Sequence, residues 1–358
     1  MKVDILAGGR DATFTARILP LARALENHRV ECRVIPPIAW HSTAKGKLGN
    51  ILSVALTHRP RKYANMLGHP PDVAIIGRVS TPQIRLLQKL LKSKRVKTIF
   101  DLDDALFLST GKLFGINVRP GSFFLEGIVK NADLVTVNGH YLLGYVRFFN
   151  KNATIIHDPV DTELFSSNSR NNCDKVTIGW EGVPRHHYAN LSILIKPLSR
   201  LAKEYDIKLK IVSHLGDLKV KQTYRKLENS LEIDYGPSYW VPITKLPKLM
   251  SDFDIMVAPI AKAPWYEGKS ALRVGIGMAM GVPVVASPVG EQKYVIEHGV
   301  NGFLAKEDEW YRYLKMLIED DDLRTAMGQM GRLTAEKELS VRSCGKKLFG
   351  LTKELLGQ

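Results

Sequence analysis

The sequence predicts an α/β protein of two domains, each built on a parallel β-sheet. Short apolar segments alternate with amphipathic stretches of helical period along the whole chain. A polar segment, DTELFSSNSRNNCDK at 161–175, interrupts this alternation, and 358 residues exceed what one ordinary core requires. We therefore expect domains at 1–160 and 176–340, a linker at 161–175, and a C-terminal helix at 341–358 that packs back across the domains.

The strands can be assigned segment by segment. Those of the first domain are VDILAG, VECRVIP, DVAIIGR, KTIFDLD, DLVTVNG and ATIIHDP. Helices are expected between them at Ala12–Glu26, Pro82–Lys94 and Tyr141–Phe149. The second domain repeats the pattern with KVTIGW, KLKIVSH, LEIDYG, DIMVAPI, VPVVASP and GFLAK. Such sheets bind ligands beyond the carboxyl ends of their strands, so a cleft between the domains is the expected site.

Composition favours a cytoplasmic protein. Apolar residues make up 45% of the chain and charged residues 24%, as in ordinary globular proteins. The sequence has neither a run of about 18 apolar residues nor the apolar core of a signal peptide. Cys32, Cys173 and Cys344 lie far apart without C-x-x-C spacing, so they predict reduced thiols rather than disulfides or a zinc site.

The net charge of +15 is concentrated in the first half of the chain. Residues 1–150 carry 22 lysines and arginines against 10 acidic residues, whereas the remainder carries 29 against 26. This excess fits an anionic membrane or an anionic substrate, and HRPRKY and LKSKRVK would suit a membrane face. A solvated basic surface is the alternative. Nucleic acid is disfavoured as a partner because no zinc-finger, RRM-like or helix-turn-helix pattern accompanies the charge.

The segment KSALRVGIGMAMGVPVVASPVG, Lys269 to Gly290, follows a predicted strand and its loop. It predicts a helix that begins near Ser270, which is also a plausible N-cap. The free amides and positive dipole end of such a helix attract anions. Lys269 and Arg273 would add full charges from the same face of its first turn. The segment therefore fits a phosphate or diphosphate.

Glycines inside this helix need a separate explanation. Gly275 and Gly277 each cost about 1 kcal/mol relative to alanine in a helix interior. Close packing against a neighbouring strand and close approach of a ligand are both possible reasons. Gly281 is more simply a C-cap before the strand VPVVAS.

Several segments resemble known enzymes. The block WYEGKSALRVGIGMAMGVPVVASPVGEQKYVIEHGVNGFLA is similar to the C-terminal signature of family-4 glycosyltransferases, above all the bacterial polysaccharide and lipopolysaccharide subgroup. IGWEGVP, FDLDDALF, LVTVNGHYLL and DPVDTELF resemble other landmarks of these enzymes, so the resemblance covers nearly the whole chain. It implies a GT-B fold, two Rossmann-like domains facing an interdomain cleft. It also implies a nucleoside-diphosphate-sugar donor held mainly by the C-terminal domain, and a retaining reaction without metal or cofactor.

The sequence departs from this family at its paired carboxylates. The E-x7-E pattern would place them at Gly268 and Ile276, and neither matches. Glu267 is one residue away and would serve only if the loop is shifted.

A second departure lies early in the C-terminal domain, where many relatives use an Arg-Lys pair. The segment GWEGVPRHHYANL supplies Arg185, but Ala189 occupies the expected lysine position. His186 or His187 would then substitute, although a histidine near a loop is most often solvated. These departures affect the sugar and ribose contacts rather than the fold.

Asp101, Asp103 and Asp104 in IFDLDDALF end a predicted strand. Their D-x-D spacing suits a metal-bound sugar diphosphate, but no matching metal partner is visible. In the family, a catalytic histidine often occupies this position. The resemblance therefore suggests that Asp103 hydrogen-bonds a sugar hydroxyl or accepts the acceptor's proton. Capping of the following segment is an equal alternative.

The segment AGGRDATFTARILPLARAL follows the first strand. Its glycines do not form the G-x-G-x-x-G fingerprint, so a dinucleotide cofactor is disfavoured. Gly9 would instead let the backbone approach the cleft. Arg17 resembles the arginine of an R-x-R-I motif in this subgroup, where it would reach a phosphate or pair with a surface acid.

The sequence thus predicts a cytoplasmic glycosyltransferase, peripheral at an anionic membrane, with a saccharide or lipid-linked acceptor. Asp103, Lys269 and Arg273 are the expected catalytic residues. The expected substrate contacts are Gly9, Arg17, Arg185, His186, Glu267, Gly268 and Ser270. The alternative is a non-catalytic saccharide- or partner-binding protein that kept the fold after losing the E-x7-E carboxylates.

Overall fold

The chain folds into two compact units. The computed structural model describes residues 1–7, 14–35, 66–78, 81–108, 111–113, 116–118, 120–166, 175–183, 187–212, 217–239 and 241–358. The first unit comprises Met1–Pro159, Gly268–Ser270 and Val341–Gln358, and the second comprises Val160–Glu267 and Ala271–Ser340. In these ranges no helix has the length and apolar character to cross a bilayer.

A six-stranded parallel sheet forms the centre of the first unit. Its strands are β1 (Lys2–Leu6), β2 (Glu31–Ile35), β3 (Val73–Gly77), β4 (Lys97–Leu102), β7 (Leu134–Val137) and β8 (Ala153–Ile155), and β5 (Gly111–Leu113) and β6 (Ile116–Val118) form a separate antiparallel pair. The sheet order is β2-β1-β3-β4-β7-β8. All residues of β3 and β7 are buried, as expected for parallel strands covered on both faces. The six predicted strands are confirmed.

Helices cover this sheet on both faces. They are α1 (Leu19–Glu26), α2 (Pro82–Ser93), α3 (Pro120–Asn131) and α4 (His140–Val146). The connections through α2, α3 and α4 all step in one direction along the sheet, so the right-handed crossover rule places them on one face. Helix α1 leads in the opposite direction and lies on the other face. The helix predicted at Ala12–Glu26 is shorter than expected, because a π-helical turn at Phe14–Ile18 precedes α1.

The second unit repeats this architecture. Its strands are β9 (Val176–Glu181), β10 (Ile207–Val212), β11 (Glu232–Asp234), β12 (Ile255–Ala258), β13 (Val284–Ala286) and β14 (Phe303–Leu304). They pair in parallel in the order β11-β10-β9-β12-β13-β14, which confirms the second set of predicted strands. The chain steps from β9 toward β11 and then returns past β9 to β12. The order therefore reverses between β9 and β12.

Helices connect these strands and follow the last of them. They are α5 (Tyr188–Ser192), α6 (Ile195–Leu201), α7 (Leu218–Tyr224), α8 (Leu246–Leu249), α9 (Pro264–Glu267), α10 (Leu272–Ala279), α11 (Gln292–Val295), α12 (Trp310–Glu319) and α13 (Asp321–Thr334). Single 3-10 turns occur at Leu106–Leu108, Arg225–Leu227 and Ile243–Lys245, and a π-helical turn at Ala335–Leu339. One core cluster includes Leu198 and Trp310, and another includes Met256 and Val274. Each is a continuous apolar layer.

The last helix, α14 (Val341–Leu355), belongs to the first unit. Helix α14 packs against α1. A Cβ atom on Gly345 would lie 2.2 Å from the Cβ of Ala24, so glycine is required for this close approach. Leu348 is buried, and the ring of Phe349 stacks on His28 at 4.5 Å between centroids. The C-terminal segment therefore completes a core that the N-terminal segment begins.

Candidate functional site

The second sheet has its reversal of strand order between β9 and β12. Connections that leave in opposite directions lie on opposite faces, so they leave a crevice beyond the carboxyl ends of these two strands. Trp180 and Glu181 end β9, and Gly182 follows. Arg273, in the first turn of α10, reaches this same strand end. The sheet topology and the side-chain contacts therefore indicate one location.

Arg273 is held by the backbone and an aromatic ring. Its Nε donates a hydrogen bond to the carbonyl oxygen of Glu181 at 2.5 Å, and its guanidinium carbon lies 4.8 Å from the centre of the Trp180 ring. Gly182 has φ +146° and makes room for the guanidinium: a Cβ there would lie 2.5 Å from Nη2 of Arg273. The sequence pair Trp180 and Gly182 thus positions the arginine.

The surroundings of Arg273 leave its charge poorly compensated. Burial lowers the pKa of Arg273, and the carboxylate of Glu181 only partly opposes this. Burial likewise raises the pKa of Glu181, against the effect of Arg273. Across the described ranges, no carboxylate forms a salt bridge with Arg273. A desolvated cation at a helix start is suited to binding an anion.

Helix α10 begins two residues later than the sequence predicts. Its first residue is Leu272 and its N-cap is Ala271, which makes no side-chain cap. The expected N-cap role of Ser270 is therefore wrong. The first amides of α10 have no partner within the helix, which is the usual condition of a helix start. They remain donors for a ligand.

The glycines of α10 are explained by packing. A Cβ on Gly277 would lie 2.7 Å from Sδ of Met256 and 2.8 Å from Cγ2 of Val284. A Cβ on Gly275 would meet a Cγ2 atom of Val160 at 3.0 Å. Gly281 has φ +67° just after α10, which confirms the expected C-cap. Of the two explanations that the sequence left open for Gly275 and Gly277, the structure supports contact with the neighbouring side chains.

A pocket of about 540 Å³ opens at the carboxyl ends of β12, β13 and β14. Its lining is mixed apolar and polar and comprises Ala189, Ser192, Ile193, Ile260, Ala261, Lys262, Glu267, Ser287, Pro288, Val289, Ala305, Lys306, Glu307 and Trp310. Asn190, fully buried, fixes one wall because its Oδ1 accepts a hydrogen bond from the Ala261 amide at 2.8 Å. The Ser287 hydroxyl likewise accepts one from the Ile260 amide at 2.9 Å. These bonds hold the loop after β12 in place.

Glu267 lies in the lining of this pocket. Its Oε2 accepts a hydrogen bond from Nζ of Lys293 at 2.8 Å and a longer one, 3.4 Å, from the amide of Gly290. The hydrogen bond to Glu267 raises the pKa of Lys293. Lys293 therefore orients the carboxylate of Glu267, which lies one residue from the position that the family pattern predicts.

In the first unit, Arg17 is almost completely buried. Its Nε and Nη2 donate to the two carboxylate oxygens of Asp101 at 2.8 and 2.7 Å, and its Nη1 donates to Asp158 at 2.9 Å. Burial disfavours the cation, but Asp101 and Asp158 more than offset this and raise the pKa of Arg17. Thr136 adds a hydrogen bond to Asp101. Arg17 does pair with acids, of which Asp101 is buried and Asp158 partly buried, and this geometry does not favour a phosphate contact.

Asp103 and Asp104 follow β4 and meet two cations. Nη1 of Arg78 lies 2.9 Å from Asp104 Oδ2, and its Nε lies 3.6 Å from Asp103 Oδ1. Nζ of Lys269, in the short segment that belongs to the first unit, lies 2.8 Å from Asp104 Oδ1. Gly268 is beside it, where a Cβ would lie 2.8 Å from the Cβ of Ala105. Across the described part of the chain, no three His, Cys, Asp or Glu side chains are arranged to hold a metal ion.

Three expected substrate contacts, Gly9, Arg185 and His186, lie outside the described residues. The other candidate, His187, accepts a hydrogen bond at Nδ1 from Asn190 Nδ2 at 2.7 Å and packs edge-on against the Trp180 ring. His187 and Arg273 therefore both lie against the Trp180 ring.

Arg78 was missed by sequence reasoning. It follows β3 with φ +38°, a conformation that non-glycine residues rarely adopt, and its amide donates to the Asp101 carbonyl. Strained residues of this kind concentrate at functional sites. Only the position of Arg78 after an apolar strand could have drawn attention to it, since the sequence carries no signal for the φ angle.

Residues 175–320 match the family model for glycosyl transferases group 1. This match confirms the resemblance drawn from the sequence for this segment. A sequence search of curated proteins gave no match.

Solved structures similar to the chain extend this result to the whole fold. HepE from Anabaena in complex with UDP has a TM-score of 0.70 and 17% identity, with 99% of this chain and 100% of that chain covered. Sucrose-phosphate synthase from Thermosynechococcus elongatus has a TM-score of 0.73 and 13% identity, with 100% and 99% covered. The lipopolysaccharide outer core galactosyltransferase WaaB in its apo form has a TM-score of 0.68 and 14% identity, with 99% and 100% covered. The chain therefore has the predicted GT-B fold, with two Rossmann-like α/β units.

Proposed function

We propose that the protein transfers a sugar from a nucleoside-diphosphate sugar to a saccharide or lipid-linked acceptor. The observation that carries this proposal is Arg273, a desolvated cation without a carboxylate partner in the described ranges, at the switch point of a group 1 glycosyltransferase domain. HepE, which shares the fold, was solved with UDP, and this supports a nucleotide donor. WaaB, named for lipopolysaccharide outer core synthesis, supports a role in bacterial polysaccharide assembly.

The chemical requirement of this reaction is to stabilise the leaving diphosphate as its charge develops. The guanidinium of Arg273 and the free amides at the start of α10 are pre-positioned donors for that charge. Lys269 is proposed as a second cation for the diphosphate, and Asp104 Oδ1 positions its Nζ at 2.8 Å. These groups supply positive charge from the protein itself, so we propose a metal-independent reaction.

The pocket beside α9 is proposed to hold the donor sugar. A volume of about 540 Å³ accommodates a hexose, and sugars are recognised by carboxylates that accept from their hydroxyls. Glu267 is such an acceptor, and Lys293 orients it. We propose that Glu267 replaces the first carboxylate of the family pattern, and that Ser270 contributes a further polar contact.

Asp103 is proposed to act on the acceptor. It is 8% exposed and directly follows the central strand β4 of the first sheet, at the edge where ligands of such sheets bind. A carboxylate there can accept a hydrogen bond or a proton from the attacking hydroxyl. Retention of anomeric configuration follows if the acceptor attacks from the leaving group's face, a proposal that rests on the family resemblance.

The first experiment is a thermal-unfolding screen of the parent and Arg273→Gln against UDP, GDP, ADP, TDP and CMP. A nucleotide present at about 100 times its Kd adds about 2.7 kcal/mol, which corresponds to a rise of about 5–10 °C for a unit of this size. We expect one nucleoside diphosphate to produce this rise and Arg273→Gln to abolish it. Because burial of the Arg273 charge costs stability, the unliganded variant should unfold at the same or a higher temperature.

Arg225→Gln is the matched control, since Arg225 is an exposed arginine of the same unit. It should keep the full nucleotide-dependent rise. An undiminished rise in Arg273→Gln would contradict the assigned role of Arg273, and the absence of any rise in the parent would contradict the donor proposal. The catalytic and binding-protein hypotheses are separated by donor turnover: only an enzyme releases UDP or another nucleoside diphosphate, and EDTA should leave that rate unchanged.

A further inference from the structure

One face of helix α2 differs from an ordinary solvent-exposed helix face. The inner face buries Ile84, Leu87 and Leu91, and Gln88 donates to a carbonyl of α3 at 3.1 Å. The outer face exposes Leu86 by 58% and Leu90 by 41%. Leu86 and Leu90 are four residues apart and therefore lie on the same side of the helix. A soluble helix would normally carry polar residues there.

Exposed cations surround these leucines. Lys89 lies beside Leu90, and Lys92, Lys94 and Arg95 are exposed where α2 ends. No acidic residue occurs anywhere in the sequence between Asp72 and Asp101. In the part of the chain that the structure describes, none of these four cations takes part in a salt bridge. We call Leu86, Leu90 and these four cations the α2 surface.

The end of the helix closes in a tight turn, as does the end of α1 at Arg29. Arg95 has φ +61°, a position after a helix where glycine or asparagine is preferred. The amide of Val96 closes this turn by donating to the Leu91 carbonyl at 3.0 Å. The helix dipole accounts for cations at a C-terminus. It does not account for the exposed leucines.

From this combination we infer that the α2 surface docks the protein on an anionic lipid bilayer, through leucine insertion between headgroups and lysine attraction to them. This inference rests on the proposed function, because it places the enzyme at the membrane where a lipid-linked acceptor is available. The surface has the two elements that interfacial binding requires, apolar side chains on a helix face and a surrounding net positive charge. The helix is about 18 Å long, so it can lie flat on the membrane.

The carboxyl end of α4 extends the same face of the sheet. Phe148 follows α4 and is 86% exposed, with exposed Arg147 and Lys151 on either side. Helices α2 and α4 lie on one face of the sheet and both run against the strands, so their ends lie at the same edge. An aromatic side chain between cations is a further interfacial anchor.

The test is co-sedimentation of the full chain with vesicles of phosphatidylcholine, or of phosphatidylcholine with phosphatidylglycerol. We expect binding only to the second. The triple variant Lys89→Gln, Lys92→Gln, Lys94→Gln should bind about 100-fold more weakly, at about fivefold per charge. The variant Leu86→Gln, Leu90→Gln keeps the charge and should lose about tenfold or more. Glutamine preserves helix propensity in both variants.

A charge-matched control is Arg342→Gln, Lys346→Gln, Lys347→Gln on α14, which packs with α1 on the other face of the sheet. Equal loss in this control and in the α2 variant would overturn the inference, because binding would then follow net charge alone. Vesicle binding that is undiminished in both α2 variants would also overturn the inference. If the protein binds an anionic RNA as tightly as it binds the vesicles, and the leucine variant binds that RNA as tightly as the parent, the surface would be assigned to nucleic acid. The nucleotide-dependent rise in unfolding temperature, measured on the same variants without vesicles, should persist and reports separately on the proposed function.

Discussion

At the scale of single residues, the candidate donor site depends on one cation and the space left for it. Arg273 makes a hydrogen bond to a backbone carbonyl and lies over Trp180, rather than in a salt bridge with a described carboxylate. Arg17 in the first unit is the opposite case, since it is fully paired with Asp101 and Asp158. Removing one member of a buried pair usually costs about 3–5 kcal/mol, so we expect the loss of Arg17 to destabilise the first unit. The same residue type therefore has two different environments in the two units.

Gly182→Ala tests the space around Arg273. The added methyl would lie 2.5 Å from Nη2 of Arg273, and φ +146° is unfavourable for alanine. We expect the guanidinium to be displaced, the nucleotide-dependent rise in unfolding temperature to be lost, and the unfolding free energy to fall by about 1–3 kcal/mol. Gly144→Ala is the control, because nothing lies within 4 Å of the added atom and alanine favours the helix. A normal nucleotide response in Gly182→Ala would show that this glycine does not position Arg273.

At the scale of elements, α10 combines two demands on one short helix. Its start provides amides and Arg273 at the crevice, and its body packs on β12 and β13 through Gly277. The sequence predicted the helix, the following strand and the C-cap at Gly281, because these follow from local period and turn chemistry. It did not predict the N-cap, since Ser270 is grouped with the first unit rather than with the helix that it precedes.

Gly277→Ala separates packing from ligand contact. Alanine is the better helix former by about 1 kcal/mol, but its methyl would lie within 2.8 Å of Met256 and Val284 side chains. We expect a net loss of about 1–3 kcal/mol in urea unfolding, with the Kd for the nucleotide unchanged in the folded protein. Gly350→Ala, where no atom lies within 4 Å, should instead be neutral or stabilising. A weaker Kd without loss of stability would mean that the glycine serves the ligand.

At the scale of the whole molecule, the fold was predictable to a greater extent than the site. Twelve strands in two Rossmann-like sets follow from hydrophobic pattern, which is a property of neighbouring residues. The burial of Arg17 depends on partners 84 and 141 residues away, and no local pattern reports such pairing. No local pattern reports the strained φ of Arg78 or the pairing of Lys269 with Asp104 either. Contacts between distant segments decide the roles of charged residues.

Gly345→Val tests the assignment of α14 to the first unit. A side chain there would overlap Ala24 of α1, so overpacking should cost about 1–3 kcal/mol. By calorimetry we expect one unfolding transition to move to lower temperature, while the transition that the nucleotide raises stays in place. Lys346→Ala, at an exposed neighbouring position, should move neither. A shift of the nucleotide-sensitive transition alone would contradict the division into units.

The return of α14 also has a consequence for biosynthesis. The first unit needs Val341–Gln358 to cover α1, and these residues are translated about 10–40 s after Pro159 at ordinary rates of elongation. During that interval the apolar side of α1 is uncovered on the ribosome. The second unit is translated as one stretch, Val160–Ser340, in which only Gly268–Ser270 belong to the first unit. The half of the chain that emerges first is therefore completed last, and it is the half for which a chaperone would matter during translation.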